Sequence, residues 1–223
     1  MSAERAERGE RTFDGYRRPD GRLGVRNRVL VLPSVICSHT VAEGIADRSP
    51  DAVAAPHDHG CGQLGADSDQ TKRALVGVAS NPNVAGTLVV GLGCEKVRSR
   101  DVAAAVDDRG LPVRELTIQD AGGTEACTDR GAAAVEALSE RAAAATADPA
   151  GLGDLTVGVV VSDLDDSTVE RTHPLLAGVI ERVTRAGGRV AVAGAERFAA
   201  HPEAARARVD GHPDALDRVL DAD

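Results

Sequence analysis

Aromatic side chains are almost missing: one Tyr, two Phe and no Trp in 223 residues. Any core must therefore be built from Val, Leu, Ile and Ala. Lysine occurs only at Lys72 and Lys96, and the formal charge is −9 with a pI near 5.2. That acidity excludes nucleic acid and anionic membranes as natural partners. Apolar runs stay well short of the ~18 residues that a membrane span needs. The opening stretch, Met-Ser-Ala-Glu-Arg-Ala-Glu-Arg-Gly-Glu, has no apolar centre of the secretory kind. With only four cysteines there is too little sulfur for a disulfide scaffold, so the expectation is a cytoplasmic protein with free or metal-bound thiols. No P-loop and no strand-to-helix G-x-G-x-x-G occurs, which leaves a nucleotide cofactor unsupported.

What is present is an alternation of buried strands and helices. The apolar spacing predicts strands at 28–33, 52–55, 84–91 and 113–118. Helices are predicted at 39–47, 68–80, 97–110 and 128–147. This implies a parallel, Rossmann-like α/β sheet flanked by helices. Residues 1–12 read as a disordered tail, 13–147 as the α/β domain, and 148–153 as a linker. The stretch 13–27 reads as a loop with turn chemistry at Pro19-Asp20-Gly21. Beyond the linker, strand 155–161, helix 174–186 and strand 189–193 make a reduced second βαβ lobe over 154–223. Two strands are thin for an independent core, so this lobe is expected to join another sheet or a partner. The last thirty residues read as helical.

Three glycine-rich or strand-end segments carry the chemistry. Cys37 ends Leu32-Pro-Ser-Val-Ile-Cys, Cys61 lies in His57-Asp-His-Gly-Cys-Gly62, and Cys94 lies in Gly91-Leu-Gly-Cys-Glu95. Their separations are too wide for a zinc knuckle or a CxxC redox pair. They suit a site assembled from separate loops at the carboxyl ends of parallel strands. Imidazole, carboxylate and thiol within five residues of His57 are plausible ligands for iron or zinc, or else an incidental polar loop. Cys94 and Glu95 open a helix, where unpaired N–H groups favour anions and lower a thiol pKa. A small buried cysteine in a tight turn is the plainer reading there, and a thiol-based redox protein the third. Cys127 is expected to be structural. Arg17, Arg18, Arg22 and Arg26 in one loop could clamp a carboxylate, or form a solvated basic face. Asp163, Asp165 and Asp166 read as a surface turn, because the run lacks the glycine and distal glutamate of a calcium loop. His173, His201 and His212 have no partner at ligand spacing.

Taken in order, these segments resemble the altronate/galactarate dehydratase family of sugar-acid hydro-lyases, which includes sulfolactate sulfo-lyase large subunits. The likeness is carried by Gly15–Asn27, by Leu32–Ser38, by His57–Gly65 with Gln70-Thr71, and by Asn81-Pro-Asn83 through Glu95. A shorter match covers Ile118-Gln119 and Gly122–Thr124. The resemblance implies metal-dependent loss of water from a sugar acid such as altronate or galactarate, giving a 2-keto-3-deoxy acid. It implies Fe2+ or Mn2+, with an iron–sulfur cluster an open alternative, held by Cys37, Cys61 and Cys94. His57 and Glu95 become the catalytic expectations, and Arg22 and Arg26 the groups that bind the small hydroxy-acid substrate. Family members are longer, so a homo-oligomer or a complementary subunit is expected. The Gly-Gly-Ser-Asp turn expected after the second lobe's first strand is replaced here by Ser162–Ser167. The alternative is a non-catalytic homologue that binds a metal or small acid as a regulatory or assembly partner.

Overall fold

Phe13–Arg17 (β1) and Leu23–Gly24 (β2) pair antiparallel around the Pro19-Asp20-Gly21 turn, with Tyr16 opposite Gly24. The sequence reads this stretch as a loop because so short a hairpin gives too few residues for a period-2 signal. A computed structural model describes residues 12–160, 166–194, 202–207 and 213–220. The expected tail, apart from Thr12, and most of the 162–167 turn lie outside the described residues.

The central sheet is parallel throughout. Arg28–Pro33 (β3), Ala52–Ala54 (β4), Val84–Gly91 (β5) and Val113–Thr117 (β6) lie in the order β4-β3-β5-β6. Side chains alternate between its faces. Val29, Val31, Leu88 and Val90 pack against His39–Ala46 (α1) and Thr124–Ala143 (α5, following the single turn Ile118–Ala121, α4). Leu30, Leu32 and Val89 face Ala66–Ala79 (α2) and Ser99–Asp107 (α3). Both faces are covered, as parallel sheets require, which explains strands that read as continuous apolar runs. The sequence-predicted parallel sheet flanked by helices is what the structure shows. Helix ends differ by up to four residues; α5 starts at Thr124, its N-cap being Gly123.

Chain neighbours β3 and β4 lie side by side, and the connection from β4 then crosses to β5 on the other side of β3. Loops leaving β3 and β5 therefore diverge, the arrangement in which open α/β sheets bind ligands at their carboxyl end.

The chain divides into two compact units, one over Phe13–Pro149 and one from Ala150 onward. Asp148–Ala150 (β7) falls at that boundary, in the expected linker, and is the third strand of the β2-β1-β7 sheet. In the second unit Thr156–Val160 (β8) and Arg189–Ala193 (β9) pair in parallel, joined through a π-helical stretch Thr168–Thr172 and His173–Arg185 (α6). Val159 and Val183 are its buried centre. Pro202–Arg206 (α7) and Pro213–Leu220 (α8) are short helices near the end.

Candidate functional site at the carboxyl edge of the sheet

The loops leaving all four parallel strands are tied to one another. The Ile36 N–H donates to the His59 carbonyl at 2.9 Å, joining the loop after β3 to the loop after β4. His57 reinforces that joint. Its Nε2 lies 2.8 Å from the Pro33 carbonyl, and its Nδ1 accepts the His59 N–H at 3.2 Å. Only the neutral imidazole with its proton on Nε2 satisfies both bonds. Gly60, at φ 93°, passes against Ser34 and Val35 where a side chain would collide. Gln63 accepts from the Gly60 N–H at 3.0 Å and from the Thr71 hydroxyl at 2.8 Å, closing the loop onto α2.

The joint between the β3 and β5 loops is Glu95, only 7% exposed. One carboxylate oxygen accepts from the buried Ser34 hydroxyl at 3.1 Å and the Ser99 N–H at 3.3 Å; the other accepts from the Gly93 N–H at 2.6 Å. Burial alone would push its pKa up. Hydrogen bonds from its own N–H and those of Gly93 and Ser99, with the Ser34 hydroxyl, outweigh that and hold it below the usual carboxylate value. Glu95 is thus an ionised brace. The Ser99 hydroxyl in turn donates to Glu115. The fourth loop joins through Gln119, whose N–H donates to the Leu92 carbonyl at 3.1 Å. Its side chain lies over Gly93, where at φ 121° any Cβ would sit 2.6 Å from the Gln119 Oε1.

On this braced edge Cys37, Cys61 and Cys94 are all exposed, whereas Cys127 is buried in the core. Burial raises the Cys127 pKa, which suits the expected structural role. No group of three or more His, Cys, Asp or Glu side chains among the described residues makes a metal-holding cluster. The two ring nitrogens of His57 are already committed to backbone. The described residues do not by themselves fit a resident metal.

Two cavities open here. One, of about 420 Å3, lies beside α2 with a mostly apolar floor that includes Leu32, Ala55 and Leu75; His57, His59 and Gln63 also line it. The His57 and His59 rings stack with centroids 6.2 Å apart. The other, of about 370 Å3, is predominantly polar and is lined by Cys94, Glu95, Arg98, Ser99, Arg100 and Glu115, among others.

Arg22 and Arg26 are elsewhere. Arg22 donates to Asp20 at 2.7 Å and to the Ser80 carbonyl at 2.7 Å, and Arg26 bonds its neighbour's carbonyl. Both belong to the segment before β3, Arg22 in the β1–β2 turn and Arg26 between β2 and β3. That segment docks on Asn81-Pro-Asn83, the stretch that precedes β5. Asn83 Oδ1 accepts the N–H groups of Val25 and Arg26 at 2.8 and 3.0 Å, and Arg18 donates to the Pro82 carbonyl at 2.7 Å. This is the amino edge, separated from the thiols by the eight residues of β5, roughly 25 Å. The expected arginines and the expected cysteines are not brought together within this chain.

Sequence reasoning passed over Arg98 and Arg100, the arginines that do line the polar cavity. Their signal is positional: guanidinium groups at the start of a helix oppose the helix dipole. It also gave little weight to His39. Its Nδ1 sits 2.5 Å from the Ile36 carbonyl, to which it donates.

The family of the D-galactarate dehydratase/altronate hydrolase second domain matches residues 15–143. The (2R)-sulfolactate sulfo-lyase subunit beta of Chromohalobacter salexigens is 41% identical over 112 residues, covering 50% of this chain and 28% of that protein. The altronate dehydratase of Bacillus subtilis is 29% identical over 188 residues, covering 80% of the chain and 37% of the relative. The altronate dehydratase of Escherichia coli is 37% identical over 100 residues, or 40% and 20% of the two chains. The chain thus spans well under half the length of each of these relatives.

Proposed function

Since the chain belongs to the D-galactarate dehydratase/altronate hydrolase family, we propose that it is a lyase or lyase subunit that removes water from a sugar acid such as altronate or galactarate, giving a 2-keto-3-deoxy acid. The observation that carries this reading is the convergence of four family-like segments, 32–38, 57–65, 91–95 and 118–124, on the carboxyl edge of the parallel sheet. Dehydration needs a base for the proton next to the carboxylate, an acid for the departing hydroxyl, and positive groups facing the carboxylate.

Within this chain the roles divide by what is already bonded. Glu95 and His57 hold the loops, since every proton or lone pair either would use is engaged with Ser34, Gly93, Ser99, Pro33 or His59. The imidazoles left for proton transfer are exposed His59, which lines the cavity beside α2, and His39, whose ring is held by the Ile36 carbonyl. With no metal-holding cluster among the described residues, Fe2+ or Mn2+ would need ligands from a complementary subunit or a second copy. One relative's name, sulfo-lyase subunit beta, speaks for such an arrangement in that protein. Among the described residues no helix is long and apolar enough to cross a membrane.

A second reading is a homologue that binds the acid without turning it over, favoured by the saturated bonding of Glu95 and His57. One experiment separates the two. The full chain is incubated without oxygen with galactarate or altronate and Fe2+ or Mn2+, alone and with a polypeptide supplying the rest of a relative's length. Formation of 2-keto acid in either mixture supports the lyase. Acid binding with no 2-keto acid in both supports the second reading and overturns the first.

A further inference from the structure

The polar cavity beside Cys94 is built unlike an ordinary helix start. Arg98 is the N-cap residue of α3 and Arg100 lies in its first turn. Both line the cavity and both are exposed. A helix N-terminus carries a partial positive charge, so two guanidinium groups there are unfavourable unless an anion faces them. Nothing in the fold calls for them. Arg98 has no side-chain acceptor among the described residues, and Arg100 has only Asp101 at 3.8 Å, in an exposed pair of small worth.

The opposite wall is acidic. Glu115 accepts from the Ser99 hydroxyl, and Asp120 accepts from the Thr117 hydroxyl at 2.7 Å. An ionised carboxylate offers about four acceptor sites, so each keeps capacity for further donors. Glu95, also in the lining, is already engaged by Ser34, Gly93 and Ser99. A simple anion would meet Arg98 and Arg100 but be repelled by Glu115 and Asp120. A purely neutral polyol would leave the two guanidinium groups unmatched. A molecule carrying a carboxylate at one end and hydroxyl donors along its length meets both walls at once. About 370 Å3 is the size of a small-metabolite pocket.

We infer that this cavity is the substrate-recognition subsite, in which Arg98 and Arg100 take the carboxylate of a polyhydroxy acid while Glu115 and Asp120 accept its hydroxyls. The inference rests on the lyase reading for its substrate class and adds the residues that select within it. It also replaces Arg22 and Arg26 as the carboxylate contacts, because those side chains lie at the other end of the sheet.

The test is calorimetric binding to the full-length chain of two probes of equal length, D-galactarate and adipate, the same diacid without hydroxyls. D-galactarate is expected to bind at least about tenfold more tightly than adipate. Arg98→Gln and Arg100→Gln each weaken galactarate roughly tenfold, the scale of one lost charge-assisted hydrogen bond. Asp120→Asn narrows the preference for galactarate over adipate. Both arginines are exposed, so the variants keep the fold, which thermal melting verifies. Equal binding of the two probes, no binding of galactarate by the unaltered chain, or unchanged galactarate affinity in both arginine variants overturns the subsite. Binding that follows this pattern without any 2-keto acid formation leaves the subsite standing and overturns the lyase reading. Turnover that is indifferent to both arginine variants does the reverse.

Discussion

At the amino edge of the sheet, Arg18, Arg22, Asn27 and Asn83 all bond to backbone: Pro82, Ser80 and Ala142 carbonyls in the first three cases, Val25 and Arg26 N–H groups in the last. At the carboxyl edge the bonded side chains form an inner layer of Ser34, His57, Glu95 and Ser99, and outside it stand exposed thiols, Arg98 and Arg100. The first edge is a clasp whose side-chain bonds go into joining two loops, although the Asn27 Oδ1 stays buried without a partner. The second is a brace that leaves a further set of polar groups facing open cavities. Motif-like strings mark both, of Gly, Pro, Asn and Arg at the amino edge and of Gly, Cys and His at the carboxyl edge, so motif density alone does not distinguish a joint from a site. What distinguishes them is whether exposed polar groups face an open cavity once the loops have been joined.

The sharpest way to break this comparison is at Glu95. Replacing it by Ala strands the donors of Ser34, Gly93 and Ser99 in a buried place, and a loss of roughly 3 kcal/mol is expected in denaturant unfolding. A loss below about 1 kcal/mol would mean that the carboxyl edge is not braced through this residue. At the amino edge Asn83→Ala removes an acceptor shared by two N–H groups. It is expected to cost about 1–2 kcal/mol and to leave galactarate binding unchanged. A binding loss in that variant would dissolve the division between the two edges.

A subtler test uses acidity. The folded state holds Glu95 below its usual pKa, so the unfolded chain takes up the proton first as pH falls. The stabilisation from Glu95 is therefore present above the ordinary carboxylate range, and is lost as pH falls through that range toward the lower folded-state value. Unfolding followed from pH 7 down to 3 should show a shallower acid loss in Glu95→Gln than in the unaltered chain. Parallel curves would contradict the brace. The smallest effect is expected at Cys61, exposed in its loop, where Cys61→Ser should change stability by less than about 0.5 kcal/mol.

The strands of the central sheet were legible in the sequence because each is an apolar run bounded by turn residues, and their parallel direction follows from the alternation with helices. Their order in the sheet, β4-β3-β5-β6, came only with the structure. Placement of the cysteine loops followed too, since a segment that leaves a parallel strand must emerge at its carboxyl end. The arginines were not legible. Arg22 reads as a free cation until Ser80, 58 residues away, takes its guanidinium. Arg98 reads as part of a solvated helix until Glu115 and Thr117 of β6 close the cavity beside it. Glu95 looks like a base in Gly-Leu-Gly-Cys-Glu, and only Ser34, 61 residues earlier, shows it to be sealed. Side-chain partners at such separations leave no periodicity for a one-dimensional reading to detect.

The central claim, that the carboxyl edge receives the acid while the amino edge only joins loops, has a direct measurement in the chain's own thiols. Alkylation of Cys37, Cys61 and Cys94 is followed by mass spectrometry with and without D-galactarate. The account predicts selective slowing at Cys94, which lines the polar cavity, with Cys127 unreactive throughout. Equal rates at Cys94 with and without saturating galactarate would contradict it.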